Sequence, residues 1–306
     1  MRLLFLIAMM LPAGAAWAKK GCNNLQLQMF PAAYDLAGNT SPTFTVRVSR
    51  NNPNNGCDFF ISFDYGTASA ASARHLDALI GGGTIPVQLY KDAGRTQILK
   101  RRQDATSASD VITGSFPDNS GPTFIDINYY ATMDTAQYSR YGFYFQTFTA
   151  TLHDGLLSDY DQKGSQGLTL TTNQQKKIDL SLVETGGPFN AADTTQTMDF
   201  GNISTGAVRN CDLVIGYNAG YQLTIASANS GRIKHATLAD TIAYTFELGG
   251  TVISLASGSN TRPAVSGVSP AGGLRLPIKV TVTGSLTGKS SGLYKDTVTL
   301  SVVSTE

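Results

Sequence analysis

The chain is predicted to be all-β, built as two antiparallel sandwiches in tandem, the second one strand short. Three observations carry that expectation. First, the segment Gly142-Phe143-Tyr144-Phe145-Gln146-Thr147-Phe148-Thr149-Ala150-Thr151-Leu152 aligns with Gly292-Leu293-Tyr294-Lys295-Asp296-Thr297-Val298-Thr299-Leu300-Ser301-Val302 at a constant offset of 150. In both, Tyr, then Phe or Val, then Ala or Leu, then Leu or Val fall on even positions while Thr and Ser fall on odd ones, the period of a half-buried strand. Second, the repeat continues upstream. Cys57-Asp58-Phe59-Phe60-Ile61 resembles Cys211-Asp212-Leu213-Val214-Ile215 at an offset of 154, and the run from Ile85 resembles that from Ile242 at 157. Offsets that drift by a few residues are what loop insertions between strands of common order produce. Third, the first copy of the repeated strand is followed by material for one more strand, whereas the second ends near Val303, with Ser304-Thr305-Glu306 after it. A sandwich one strand short leaves an unpaired edge and an open core.

In chain order, the first unit is expected over residues 19–165, with strands at 43–48, 57–65, 86–90, 96–99, 124–130 and 143–152. Each is a short alternating or β-branched run bounded by Gly, Pro, Asn or Ser. Residues 155–167 are polar and turn-rich and read as a linker or crossover, with a possible closing strand at 167–171, so 166–176 is assigned to linker or closing strand. The second unit, 177–306, opens with the alternation Ile178-Asp179-Leu180-Ser181-Leu182-Val183. Its strands are expected at 177–183, 196–200, 211–217, 221–226, 242–248, 251–255, 276–282 and 293–302. No helical periodicity of useful length intervenes, which favours sandwiches over mixed architectures.

Composition agrees. At 306 residues there is room for two cores. Charged residues are 15% of the chain, against roughly 25% in average proteins. The net charge of +1 gives no footprint for nucleic acid or an anionic membrane. The apolar run after Met1-Arg2, followed by Ala16-Trp17-Ala18, reads as a signal peptide over 1–18, so the mature chain is expected to begin at Lys19. No segment is long and apolar enough for a membrane span. The chain is therefore expected to be exported.

Cysteines are expected to pair in that oxidising environment. Cys22 and Cys57 lie 35 apart and flank the first strands of the first repeat, and a disulfide between them is expected. Stepping back 35 from Cys211 reaches Lys176, so Cys211 is expected to be a buried free thiol.

Catalytic patterns fail on context. Gly288-Lys289-Ser290-Ser291-Gly292 fits G-x-S-x-G but lies between two predicted strands, where that motif needs a strand-to-helix elbow. Gly284 to Ser290 is one spacer short of a phosphate loop. His75, His153 and His235 have no second ligand at metal spacing. No enzyme, metal or cofactor is expected.

The first unit resembles the spore coat protein U family, the domain used in archaic chaperone–usher pili. The resemblance rests on Cys22, the Cys57 strand, Pro86-Val87-Gln88-Leu89-Tyr90-Lys91-Asp92-Ala93-Gly94-Arg95-Thr96, and the strand from Tyr144 to Leu152. The second unit is similar to the pilin domain of that system's two-domain tip subunit, through Met198-Asp199-Phe200-Gly201-Asn202-Ile203-Ser204-Thr205-Gly206, Asn218-Ala219-Gly220-Tyr221-Gln222-Leu223-Thr224 and Gly292 to Val298. The resemblance implies immunoglobulin-like sandwiches, the pilin-like one completed by a strand from elsewhere. It implies three partners: a periplasmic pilus chaperone, an outer-membrane usher and an adjacent pilin subunit. The strand-accepting groove is expected to be lined by Tyr294, Val298, Leu300 and Val302.

Only Lys19-Lys20-Gly21 would precede Cys22 in the mature chain, too little for a donor arm. A subunit that accepts but does not donate belongs at a fibre end, here the distal tip, displayed at the cell surface after transit through the periplasm. The first unit would then bind a surface or host receptor. Loop candidates by composition are Phe30, Pro31 and Tyr34, then Leu79 and Ile80, then Phe116 and Pro117. Tyr129, Tyr130, Tyr138 and Tyr141 are expected to pack beside the strands. Two rival readings are a secreted coat or matrix protein of the same family and an exported carbohydrate-binding protein.

Overall fold

The computed structural model describes residues 21–22, 24–134 and 139–306. The expected signal peptide, Lys19 and Tyr138 lie outside the described residues. The described chain is all-β, its only helical turns being 3₁₀ segments at Ala71–Ala73, Arg102–Asp104 and Ala108–Asp110. It divides into two compact units. One comprises the described residues of Met1–Leu76, Pro86–Met133 and Phe145–Thr171; the other comprises those of Asp77–Ile85, Asp134–Tyr144 and Thr172–Glu306.

The N-terminal strands are β1 (Gln26–Phe30), β2 (Ala33–Asp35), β3 (Thr43–Ser49), β4 (Cys57–Phe63), β5 (His75–Ala78), β6 (Thr84–Tyr90), β7 (Ile112–Phe116), β8 (Phe124–Met133), β9 (Gly142–Leu156) and β10 (Asp159–Gln174). Their order is β1-β3-β8-β6-β5-β9-β10-β2, with β4 pairing both β7 and β9. Alternation places the core: β3 turns Phe44, Val46 and Val48 inward and Thr45, Arg47 and Ser49 outward. Tyr129 fills the centre, 5.3 Å from the Phe44 ring and 5.2 Å from that of Phe63. Cys22 and Cys57 form the expected disulfide. The sandwich is closed by its own chain, because β10 lies beside β9 and pairs in parallel with β2.

The second unit is built from β11 (Ile178–Val183), β12 (Val208–Tyr217), β13 (Tyr221–Ser227), β14 (Arg232–His235), β15 (Thr241–Leu248), β16 (Thr251–Ile253), β17 (Ser259–Thr261), β18 (Leu274–Val282), β19 (Tyr294–Lys295) and β20 (Val298–Ser304). One sheet runs β11-β12-β18-β15-β14-β19, with β16 on β15, and the other runs β17-β13-β20. Leu213, Ile215, Tyr221, Leu223, Ile225, Phe246 and Ile278 form the buried cluster between them.

Three expected elements differ. The polar stretch 155–167 is no linker: β9 turns directly into β10, which runs unbroken over Asp159–Gln174. Hairpin pairing satisfies its backbone whatever its side chains, so polarity there misreads as loop. Residues 196–200 form no strand; the Arg209 guanidinium donates to the Asp199 carbonyl at 2.6 Å, and Met198 alone packs on the core. Residues 96–99 contribute only an isolated bridge, Tyr90 to Ile98, because the Asp92 carboxylate accepts from the Thr96 and Gln97 amides and holds a turn.

Candidate functional site

The site begins with a difference between two repeated strands. In β9, Phe148, Ala150 and Leu152 are fully buried. Their counterparts Val298, Leu300 and Val302 in β20 are only partly buried, although they pack on the same kind of core. The neighbours explain this. β9 has β4 on one side and β10 on the other. β20 pairs β13 from Ser227 opposite Val298 to Tyr221 opposite Ser304, and it ends the order β17-β13-β20. Among the described residues, no backbone hydrogen bond reaches its other edge.

The opposing sheet ends in β11, paired to β12 from Ile178 opposite Tyr217 to Val183 opposite Asp212. Its Ile178, Leu180 and Leu182 are also partly buried and pack against the same cluster as Val298, Leu300 and Val302. Along its far edge the Leu182 amide donates to the Asp193 carbonyl at 2.6 Å. Two strand edges thus expose apolar side chains of one core. An unpaired strand with an apolar face is a template for another strand. The β11 residues were not assigned to the site from sequence, although their clean alternation marked them as a strand with one apolar face.

Tyr294 does not belong with Val298, Leu300 and Val302. It sits on β19, opposite His235 of β14, with the rings edge-to-face at 5.0 Å. Asp296 breaks the strand between them: its carboxylate accepts from the Ser227 hydroxyl at 2.6 Å, the Asn229 amide at 3.0 Å and the Tyr244 hydroxyl at 2.6 Å. Tyr294 is therefore removed from the groove.

The surface candidates scatter. Phe30 is 40% exposed at the end of β1, with the Arg47 guanidinium 5.4 Å from its ring, and Pro31 follows it, exposed. Tyr34 is partly buried, edge-on to Phe44 at 5.3 Å. Leu79 and Ile80 are 59% and 84% exposed in the turn between β5 and β6, but that turn belongs to the second unit. Phe116 is 1% exposed, packed on Phe59 and capped by Arg50 at 4.6 Å, and is withdrawn as a surface contact. Pro117 beside it is exposed. Sequence reasoning missed Phe124, 47% exposed, whose ring lies 4.2 Å from Arg47; Arg47 in turn holds Asp126 at 2.7 Å.

The remaining reactive side chains have structural surroundings. Cys211 is a buried free thiol, pushed up to about 11 by burial and then by Asp212, so it stays protonated. His153 is stacked on Phe60 at 4.4 Å and bonded to Ser62 at 3.1 Å. Burial, then the neighbouring Arg102, pushes it down to about 4. In the G-x-S-x-G segment, Ser290 follows the turn at Thr287 and Gly288, and its amide donates to Asp240 at 2.9 Å. Among the described residues, no three His, Cys, Asp or Glu side chains converge as a metal site, and no helix is long and apolar enough to cross a membrane.

Fold and site together define a two-unit β-sandwich protein, one unit closed by its own strand and the other with an open strand edge. Residues 27–151 match the family model of the Spore Coat Protein U domain. No curated protein matches the chain. Among solved structures, it is similar to a chain of the CsuC–CsuE chaperone–tip adhesion subunit pre-assembly complex from archaic chaperone-usher Csu pili of Acinetobacter baumannii. That likeness has 11% identity, 88% of this chain, 96% of the other and a TM-score of 0.40. CfaE, the adhesive subunit of CFA/I fimbria of enterotoxigenic Escherichia coli, gives 13% identity, coverage of 89% and 90%, and a TM-score of 0.37. The CooA pilin subunit from enterotoxigenic Escherichia coli gives 14%, coverage of 50% and 99%, and 0.34. With TM-scores below 0.5, these likenesses carry no argument about function.

Proposed function

We propose that this chain is a non-catalytic tip adhesin of a chaperone–usher pilus. The second unit accepts a strand from another polypeptide, first a periplasmic chaperone and then the adjacent pilin subunit delivered at the outer-membrane usher. The first unit, complete in itself, presents a binding surface. The observation that carries this reading is the contrast between β9, flanked by β10, and β20, whose outer edge is unpaired while Val298, Leu300 and Val302 are partly exposed. A strand added there would gain main-chain hydrogen bonds along β20, with alternate side chains entering the apolar face. The match of residues 27–151 to the Spore Coat Protein U domain supports the same assignment.

The experiment is co-expression of the full chain with the chaperone of its own export system. Soluble, protease-resistant protein is expected only with the chaperone. A stable monomer accumulating equally without it would favour a self-sufficient secreted protein.

A further inference from the structure

The second unit has another opening, on the opposite edge of β13 from β20. There residues 262–265 run beside β13: the Arg262 amide donates to the Leu223 carbonyl at 2.8 Å, and Tyr221 and Val265 exchange backbone hydrogen bonds of 2.8 Å. Between this segment and the ends of β15 and β18 lies a cavity of about 320 Å³, open to solvent. Its walls are Leu223, Leu248, Val265, Leu274 and Leu276, aliphatic throughout, with Tyr221 beside them. Leu223 and Leu248 are only 3% and 4% exposed, so the opening enters the core itself.

Among the described residues, Arg262 is the only charged side chain that lines this cavity. Tyr221, 2% exposed, lines the same cavity. Aliphatic walls with one cation at their margin describe an amphiphile with a saturated tail and an anionic head. A cavity of about 150 Å³ holds a benzene ring; this one is about twice that, enough for a chain of about eight carbons.

We infer that this cavity is a binding site for a medium-chain alkyl carboxylate, tail against Leu274 and Leu276, carboxylate on Arg262. The site is independent of strand addition, since it lies on the other side of β13.

The test uses the full chain, with sodium octanoate as probe and octyl glucoside as the neutral-headed comparator, both below their micellar concentrations. Binding is read by saturation-transfer NMR and by shifts of labelled Leu and Val methyl groups. Octanoate is expected to bind saturably and to shift the Leu274 and Leu276 methyls. Arg262→Gln is expected to weaken octanoate about tenfold while leaving octyl glucoside unchanged. Leu276→Phe, which fills the cavity, is expected to remove both. Absence of octanoate binding, or equal affinity in the Arg262→Gln variant, would overturn the proposal.

Discussion

Leu300 lies directly opposite Ile225 across the β13–β20 ladder, and the two differ in what covers them: Ile225 is wholly buried, Leu300 only partly. Ala150, at the equivalent place of the first unit, lies opposite Phe63 and is wholly buried. The same alternation, folded the same way, ends in two levels of burial because β10 covers one strand and no described strand covers the other.

Leu300→Asp or Val302→Asp places a carboxylate on this apolar face. Each is expected to lower stability by about 2–3 kcal/mol and to abolish accumulation and assembly. Thr299→Asp, on the opposite face of the same strand, is expected to stay within about 0.5 kcal/mol. Periplasmic protein levels and denaturant midpoints check this; equal behaviour of the two faces would contradict the groove.

Loss of the Cys22–Cys57 disulfide by Cys22→Ser or Cys57→Ser is expected to cost about 2–5 kcal/mol. Cys211→Ala, which removes one small buried side chain, is expected to cost about 1 kcal/mol. A thiol reagent is expected to reach Cys211 only as the second unit unfolds, since the group is buried and protonated.

The first unit is expected to weaken in acid through His153. Burial and Arg102 hold the folded value at about 4, below the ordinary value of about 6.5. The unfolded chain therefore binds the proton first. Stability is intact above about 6.5, falls as the pH drops towards about 4, and loses about 3 kcal/mol in all. Asp110, held down at about 2 by Lys100 and the Thr106 and Ser107 amides despite its burial, adds a further loss below the ordinary carboxylate range. Denaturation of the wild type and His153→Gln at pH 7 and pH 4 checks the slope. The variant should lose less between the two.

Much of this was legible in the sequence where a strand keeps one face apolar over many residues. The β9 and β20 repeat and the β11 alternation are of that kind. The rest depends on tertiary partners. β10 reads as a loop because its pairing with β9 does not require apolar side chains. Phe116 precedes a proline and looks like a turn, yet β7 pairs with β4 and carries it into the core. Tyr294 shares the parity of Val298, but Asp296 gathers Ser227, Asn229 and Tyr244 and ends the strand between them. The allotment of residues 77–85 and 134–144 to the second unit leaves no mark on local composition at all.

The most direct measurement is thermal and proteolytic stability of the full chain with and without an extended, alternating apolar peptide fused to its C-terminus through a flexible linker. The account predicts that the fused strand raises the melting temperature of the second unit and protects β20 from proteolysis, leaving the first unit unchanged. Identical melting and cleavage of the two proteins would mean that β20 needs no partner, and the strand-acceptor account would be wrong.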